Sequence, residues 1–370
     1  MKVNAILQPE EGSVLKATGA FFKKLFEQGV IDYLLVPKHI GKNRSLVQTL
    51  VKDTDALEDV NPFSPVMAAN SGTIVAQLSN NTKGKIGVVM KACEIRALVE
   101  LVKLGQAKLD NLFIIGADCA GTFEIEAYAA FIGDAEWEAP EKELELIKQM
   151  YARKSDDDPL PMNLRSNCKI CNAFTPHLGD ITLNLVGMED GVLVTLDSEL
   201  ARKLGLEEVE DPWSHQSTVE DLTRSRTYKR EQVFEEFKDK AKSITDMADI
   251  LATCTRCYAC QTACPICYCK VCFFRTETFN PESDRFLKWA DKEGAVRMPS
   301  EILLYHLTRL NHMAASCIGC GMCESACARG IPLSTIFMAI GDEVQKKLEY
   351  TPGKSVDDEL PVATFRKAEF

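Results

Sequence analysis

Short apolar runs alternate with stretches of helical apolar spacing over roughly the first half of the chain. The short runs predict buried strands, and apolar residues recurring every three to four positions predict amphipathic helices. The predicted strands are 31–37, 85–90 and 112–117, and the predicted helices are 13–28, 94–104, 123–131 and 141–153. Two further runs, 181–185 and 192–196, predict a hairpin around a Glu-Asp-Gly turn. Strands alternating with crossover helices indicate an α/β domain with a mostly parallel sheet.

The pattern changes after about residue 210. Residues 213–228 are polar without a clear period and predict a linker, whereas helical spacing returns at 231–252, 298–312 and 332–349. We therefore expect an α/β domain over 1–210, a linker over 211–229 and a helical domain over 230–350. Residues 351–370 are predicted to form a loosely held tail.

Composition narrows the class of protein. The chain has 46% hydrophobic and 26% charged residues, as ordinary soluble globular proteins do. Its net charge of −11 argues against nucleic-acid binding as the main task, because no basic excess exists to neutralise phosphates. No apolar run approaches the roughly 20 residues of a membrane span, and no signal peptide is visible. We expect a cytoplasmic protein without a membrane span.

The fifteen cysteines are an odd number arranged partly as CxxC tandems, which makes a poor disulfide framework. Eight of them form two quartets with one spacing, x2-x2-x3. The quartets are Cys254, Cys257, Cys260 and Cys264, then Cys317, Cys320, Cys323 and Cys327. This spacing matches 4Fe-4S ligation, whereas structural zinc sites use two CxxC pairs with a long spacer. A zinc-dependent binding module is the weaker alternative.

In two-cluster ferredoxins the fourth cysteine of each quartet binds the other cluster. By this crossing rule, the first cluster is held by Cys254, Cys257, Cys260 and Cys327, and the second by Cys317, Cys320, Cys323 and Cys264. Residues 265–316 separate the quartets, a longer spacer than in compact bacterial ferredoxins. This arrangement, with the run CIGCGMCE at 317–324, resembles the α-helical ferredoxins of heterodisulfide reductases and succinate dehydrogenases. Ala328 follows the last cysteine in place of proline.

Three cysteines after the first quartet, Cys267, Cys269 and Cys272, have no assignment. They could belong to a further metal centre or be buried thiols beside a cluster, since a free cysteine packs as a small hydrophobic residue.

Four more cysteines are dispersed in the α/β region: Cys93, Cys119, Cys168 and Cys171. Taken singly, Cys93 and Cys119 would be ordinary core thiols. Each follows a predicted strand, however, so both should lie at the carboxyl edge of the sheet, where ligands collect in α/β proteins. The CxxC pair could complete a four-thiolate site there.

Three motifs carry a family resemblance. The runs VVMKACEIRAL at 88–98, IIGADCAGT at 114–122 and NCKICNAFT at 167–175 resemble, in order and spacing, the coenzyme F420 hydrogenase/dehydrogenase beta-subunit family. The similarity covers roughly residues 10–205. It implies that the four dispersed cysteines hold a third 4Fe-4S cluster beside FAD, and that the flavin exchanges hydride with coenzyme F420, a 5-deazaflavin. Departures at Ala92, Glu94 and Thr18-Gly19 leave the identity of the hydride carrier open.

The chain has no GxGxxG loop, so FAD is implied by the resemblance alone. The predicted flavin contacts are polar or glycine residues expected at the same strand edge: Thr18, Asn70, Ser71, Gly72, Lys91, Arg96 and Asp118. Lys91 and Arg96 could neutralise a pyrophosphate or tune the flavin, or be a basic surface pair. The run 70–73 could cradle phosphate through its amides, or be a turn before the next strand.

These parts predict an iron–sulfur flavoprotein subunit that converts between one-electron and hydride transfer. A C-terminal helical ferredoxin fused to this family most resembles the beta subunits of F420-linked formate dehydrogenases. That resemblance implies a catalytic large subunit of formate dehydrogenase or hydrogenase type, with coenzyme F420 or another hydride carrier as the second substrate. The alternative is an electron-relay subunit without its own substrate, linking a dehydrogenase or hydrogenase to a heterodisulfide-reductase-like complex.

Overall fold

The computed structural model describes residues 1–41, 45–80, 82–132, 139–155, 158–279 and 281–361. The strands within these ranges are β1 (Lys2–Leu7), β2 (Tyr33–Ile40), β3 (Ser45–Val51), β4 (Ile86–Lys91), β5 (Leu112–Ala117), β6 (Ile181–Asn184) and β7 (Val192–Asp197). They form one sheet in the order β1-β7-β6-β5-β4-β2-β3. The inner strands β2, β4, β5 and β6 run parallel, while β3, β7 and β1 pair antiparallel.

The predicted α/β architecture and the β6–β7 hairpin are confirmed, but the sheet is mixed rather than mostly parallel, because three of its six strand pairings are antiparallel. Strands β1 and β3 were not predicted. In both β1 and β3, exposed or half-buried residues stand between the buried ones. These two strands therefore lack the continuous apolar run that identifies the inner strands in the sequence.

The helices of the first region are α1 (Val14–Glu27), α2 (Gly72–Ser79), α3 (Ala92–Lys103), α4 (Ile125–Ile132), α5 (Ala139–Ala152) and α6 (Ser198–Leu204). They cover both faces of the sheet. Successive residues of β4, Val88 and Val89, pack into different cores, one with Leu98 of α3 and one with Phe21 of α1. Inner strands buried on both faces are typical of parallel sheets.

The second region is helical, as predicted. Its helices are α7 (Trp213–Lys240), α8 (Ile244–Ile250), α9 (Ala259–Thr262), α10 (Ser283–Glu293), α11 (Ile302–Met313), α12 (Met322–Ser325) and α13 (Leu333–Lys347). The predicted helix over 231–252 is divided between α7 and α8. The division occurs where Ser243 caps α8 by accepting a hydrogen bond from the Asp246 amide. No described helix has the length and apolar character that crossing a membrane requires.

The prediction of an irregular linker at 213–228 is wrong, because these residues form the first part of α7. Three of the buried positions of this part, His215, Thr218 and Arg226, are polar and only Leu222 is apolar. The buried positions therefore recur with the helical period, but polar side chains occupy most of them. A search for apolar spacing misses such a helix.

The start of the predicted loose tail is anchored. The carboxylate of Glu100 on α3 accepts hydrogen bonds from the Tyr350 hydroxyl at 2.6 Å and from the Gly353 amide at 2.8 Å. Residues 362–370 of that predicted tail lie outside the described residues. The contacts at Glu100 tie the end of the helical region back onto the α/β region.

Candidate functional site

The four dispersed cysteines of the α/β region line one cavity. Cys93 lies in the first turn of α3, directly after β4, and Cys119 follows β5 by two residues. Strands β4 and β5 pair in parallel up to Lys91 and Ala117, which brings these two thiols to the same edge. Cys168 and Cys171 arrive in the loop after residue 164, where the Thr122 hydroxyl lies 3.3 Å from the Cys168 sulfur. The structure thus brings together all four residues predicted for this site.

The eight C-terminal cysteines line two further cavities. Cys264 shares one with Cys317, Cys320 and Cys323. The other is lined by Cys254, Cys257, Cys260 and Cys327. These are the groups given by the crossing rule, in which the fourth cysteine of each quartet leaves its own group. We call the cavity of the dispersed cysteines the N-terminal cavity, that of the Cys317 set the middle cavity, and that of the Cys254 set the outer cavity.

The N-terminal and middle cavities are neighbours, because Cys320 contributes to the lining of both. Arg165 holds this junction: its guanidinium donates hydrogen bonds to the Thr122 hydroxyl at 3.3 Å, the Cys320 carbonyl at 3.2 Å and the Ser325 hydroxyl at 2.9 Å. The Asn167 side-chain amide also donates to the Gly319 carbonyl. The two regions of the chain therefore meet at cysteine-bearing loops.

Burial disfavours the charged thiolate form of several cysteines in the N-terminal and middle cavities. It raises the pKa of Cys119 and of Cys320 to about 12, and that of Cys317 to about 11. Metal binding would have to displace these protons and supply positive charge in their place. Within the described residues, no three or more Cys, His, Asp or Glu side chains are arranged to hold a single metal ion.

This geometry fits a polynuclear cluster. Zinc draws four ligand atoms to one point, with sulfurs about 2.3 Å from the metal. Here each set of four thiols surrounds a cavity, which is how a four-cysteine set encloses a 4Fe-4S cluster. Gly319 and Gly321 of the middle cavity both have φ of +72°, a conformation that favours glycine and lets the loop wrap closely. The residues present suit iron–sulfur clusters.

The predicted phosphate cradle forms the N-terminus of α2, so the alternative of a turn before a strand is wrong. The Ser71 amide donates to the Glu94 carboxylate at 2.9 Å, and the Gly72 amide donates to the Asn70 side-chain oxygen at 3.0 Å. Glu94 also accepts from the Lys91 amide. Both amides that phosphate would use are therefore already hydrogen bonded inside the protein.

The remaining predicted flavin contacts lie in different places. Thr18 is buried in α1 and donates to the Leu15 carbonyl. Asp118 is buried and accepts from the Leu185 and Val186 amides; burial raises its pKa to about 7 although both hydrogen bonds lower it. Within the described part of the chain, the seven predicted flavin contacts do not line one common cavity. That they bind flavin stays a prediction.

Lys91 and Arg96, the two basic residues of that set, occupy separate sites. Lys91 is buried and lines the N-terminal cavity. Arg96 donates to the carbonyls of Ile318 and Pro352 and lines an open cleft of about 570 Å³ between the α/β and helical regions. The alternative that they form one basic surface pair is therefore wrong.

Helix α11 supplies three polar contacts to thiols that the motifs did not indicate. The His306 ring nitrogen lies 3.4 Å from the Cys254 sulfur, and the Tyr305 hydroxyl lies 3.7 Å from the Cys260 sulfur. Arg309 donates to the Cys260 sulfur at 3.1 Å. The signal in the sequence is the spacing of Tyr305, His306 and Arg309 at i, i+1 and i+4, which puts them on neighbouring parts of the helix surface.

The unassigned cysteines follow Cys264 in the segment between the two quartets. Cys269 is exposed, while Cys267 and Cys272 are half-buried. Burial, followed by the nearby Cys264 thiolate, raises the pKa of Cys267 to about 11. Both alternatives given for this group remain open.

Comparison with known proteins agrees with the motifs. Residues 83–207 match the family model for the C terminus of the coenzyme F420 hydrogenase/dehydrogenase beta subunit, and residues 250–331 match a 4Fe-4S dicluster domain. The chain is 25% identical over 385 residues to the F420-dependent formate dehydrogenase subunit beta of Methanocaldococcus jannaschii, covering 96% of this chain and 97% of the relative. It is 26% identical over 381 residues to F420-dependent formate dehydrogenase 1 subunit beta of Methanococcus maripaludis, covering 96% and 94%.

Among solved structures, a chain of the xenon-derivatised F420-reducing NiFe hydrogenase complex from Methanosarcina barkeri is similar, with a TM-score of 0.46 and 14% identity over 66% of this chain and 94% of that chain. The resemblance predicted from the cysteine motifs is confirmed by the family models and the curated relatives: the chain is similar to the coenzyme F420 hydrogenase/dehydrogenase beta-subunit family over residues 83–207 and to a 4Fe-4S dicluster domain over residues 250–331.

Proposed function

We propose that this chain is the iron–sulfur flavoprotein subunit of a multi-subunit oxidoreductase that exchanges hydride with coenzyme F420. The observation that carries the proposal is the series of three cavities, each with its own set of four cysteines, in which Cys320 of the middle set also lines the N-terminal cavity. When bound, 4Fe-4S clusters carry single electrons and FAD exchanges them as hydride.

Several residues of the chain would support electron transfer along these three sets. Twelve cysteines supply the thiolates, and α11 places hydrogen-bond donors against the outer set. Arg165 fixes the distance between the middle and N-terminal sets through its contacts on both sides of the junction. Lys91 adds a buried side chain beside the N-terminal set. Burial raises the pKa of Cys119, and the charge of Lys91 lowers that pKa by a smaller amount. The protein contributes fixed positions and charges rather than a chemical step of its own.

Two open clefts have the volume that a cofactor the size of FAD requires. One, of about 570 Å³, is lined by Arg96, Arg230 and Lys354, and its wall includes Cys317. The other, of about 580 Å³, lies beside Gly19 of α1 and extends to His39. We place the flavin in the first cleft, because Arg96 and Lys354 supply cations for a pyrophosphate and because Asn172 and Ala173, directly after Cys171 of the N-terminal set, line it together with Cys317.

The proposed partner is a catalytic large subunit of formate dehydrogenase type. This assignment is supported by the names of two relatives that match nearly the whole chain, since both are beta subunits of F420-dependent formate dehydrogenases. The oxidation of formate would then take place on that partner, and this chain would carry its electrons to coenzyme F420.

Anaerobic purification with iron, sulfide and flavin analysis tests the proposal. We expect about 12 iron atoms per chain, four for each of three clusters, and one FAD. Cys119→Ser should lose about four of these iron atoms, whereas the control Cys269→Ser should lose none. Arg96→Glu should release flavin and leave iron unchanged. Lys23 lines the second cleft, so release of flavin by Lys23→Glu instead would place the flavin there.

The acceptor is tested on the complex with its partner subunit, by supplying formate and following reduction of coenzyme F420 or NAD(P). Reduction of F420 alone is the expected result. A flavin-free protein, a colourless protein that binds only zinc, or a loaded complex that relays electrons without reducing F420 would each overturn the corresponding part of the proposal.

A further inference from the structure

Arg309 of α11 lies between the outer and middle cavities. It is only 5% exposed. One guanidinium nitrogen donates to the Cys260 sulfur of the outer set at 3.1 Å, and another donates to the Cys260 carbonyl at 3.2 Å. The same side chain lines the middle cavity together with Cys264 and Cys323. A single buried cation therefore faces both sets of thiols.

The charge of Arg309 has no carboxylate partner among the described residues. The guanidinium lies over the rings of Tyr305 and Phe337, with its central carbon 5.7 and 4.9 Å from their centroids, and its Nε atom has no hydrogen-bond partner in the described part of the chain. Burying an unpaired charge is strongly unfavourable, so such a group normally has a partner of opposite charge. The groups available for that role around Arg309 are the thiolates of the two cavities.

The surroundings support this assignment. Cys260, Tyr305, Cys264 and Cys323 all lie close enough to interact electrostatically with the Arg309 guanidinium. Arg256, also near the outer set, is ion-paired with Glu301. Arg329 also lines the outer cavity but is exposed to solvent, so among the described residues that line these two cavities Arg309 is the buried cation without a carboxylate partner.

We propose that Arg309 is a charge-compensating residue shared by the outer and middle clusters, and that it raises the reduction potential of both. This inference rests on the clusters of the proposed function. Each transfer moves one electron out of one cluster and into the other, and Arg309 neither gains nor loses a proton. Because the cation faces both thiolate sets, it stabilises the added negative charge on either side.

Anaerobic redox titration followed by EPR tests the role on the loaded protein. In Arg309→Gln, which keeps a hydrogen-bond donor and removes the charge, the ratio of reduced to oxidised outer and middle clusters at a fixed potential should fall at least about tenfold, or about 59 mV for a one-electron couple. Arg309→Lys, which keeps the charge, should stay closer to wild type. The N-terminal cluster should shift less than either.

Arg275→Met is the matched control, because Arg275 also lies over a tyrosine ring, 5.0 Å from the Tyr258 centroid, and it donates a hydrogen bond to Thr262 rather than to a thiol. It should leave all potentials unchanged. A shift confined to one cluster, equal shifts in the Gln and Lys variants, or loss of iron from both variants would overturn the inference. Wild-type protein lacking the clusters would instead count against the proposed function.

Discussion

Arg165→Met is the substitution that most directly tests how the α/β region is joined to the iron–sulfur region. The Arg165 side chain is almost fully buried at the junction of the N-terminal and middle cavities. It donates hydrogen bonds to Thr122 on one side and to Ser325 and the Cys320 carbonyl on the other. Methionine has a similar length and fills much of the same space, so the substitution removes mainly the charge and its hydrogen bonds.

The expected loss follows from these contacts. A hydrogen bond from a charged group contributes about 1.5–3 kcal/mol. Two of the three contacts, at 3.2 and 3.3 Å, are longer than ideal and lie toward the weak end of that range. Removing the cation also relieves part of the free-energy cost of burying it. We therefore expect the unfolding free energy to fall by about 3–5 kcal/mol.

Anaerobic urea unfolding, followed by far-UV circular dichroism and by the visible absorbance of the clusters, measures the effect. The matched control is Arg224→Met, since Arg224 is 75% exposed and pairs with Asp221 on the surface of α7. It should change the unfolding free energy by less than about 1 kcal/mol. If the two variants unfold at the same urea concentration, Arg165 does not hold the junction.

Three further outcomes are expected. Gly187→Ala should lower the unfolding free energy by about 2–4 kcal/mol, because φ is +70° and an added Cβ would lie 2.6 Å from the Ser214 carbonyl oxygen. Its control is Gly205→Ala, at φ +68° in open space, which should lower the unfolding free energy by only about 1 kcal/mol in the same urea assay. Glu143→Ala should lower the unfolding free energy by about 3–5 kcal/mol, because buried Asn61 and Tyr128 lose their acceptor; an unchanged midpoint would contradict this. Iodoacetamide should label exposed Cys269 before Cys267, whose pKa is raised to about 11. The rate at which Cys267 is labelled, measured by peptide mass spectrometry, should therefore rise about tenfold per pH unit from pH 7 to 9.

The grouping of the cysteines could be predicted because covalent spacing limits it. A cysteine three residues after its quartet is directed away from the other three, and the structure places Cys264 and Cys327 in each other's sets. Cys93 and Cys119 could be paired because β4 and β5 are parallel and end at one edge. In the quartets, the spacing of the cysteines determines which set each thiol joins. In the α/β region, the position of each cysteine directly after a strand determines it. Both features can be read from the sequence.

The flavin contacts could not be predicted in the same way. Polarity and position at a strand edge selected Thr18 and Asp118, yet both are buried and bonded to neighbouring backbone groups. A buried polar side chain must find a partner, and whether that partner is the protein or a ligand depends on tertiary packing. Ser71 shows the same ambiguity, since its amide is bound by Glu94 whereas its buried hydroxyl has no partner among the described residues.

The order of the three cavities is a property that cysteine spacing does not contain. The motifs give three sets of ligands but not which set lies next to which. Cys320 belongs to the lining of both the middle and the N-terminal cavity, and Arg309 faces both the outer and the middle one. The middle set therefore has a neighbour on each side, and electrons moving between the outer and N-terminal sets should pass through it. Substituting Cys317, which belongs to the middle set, should then disconnect two centres whose own ligands are unchanged.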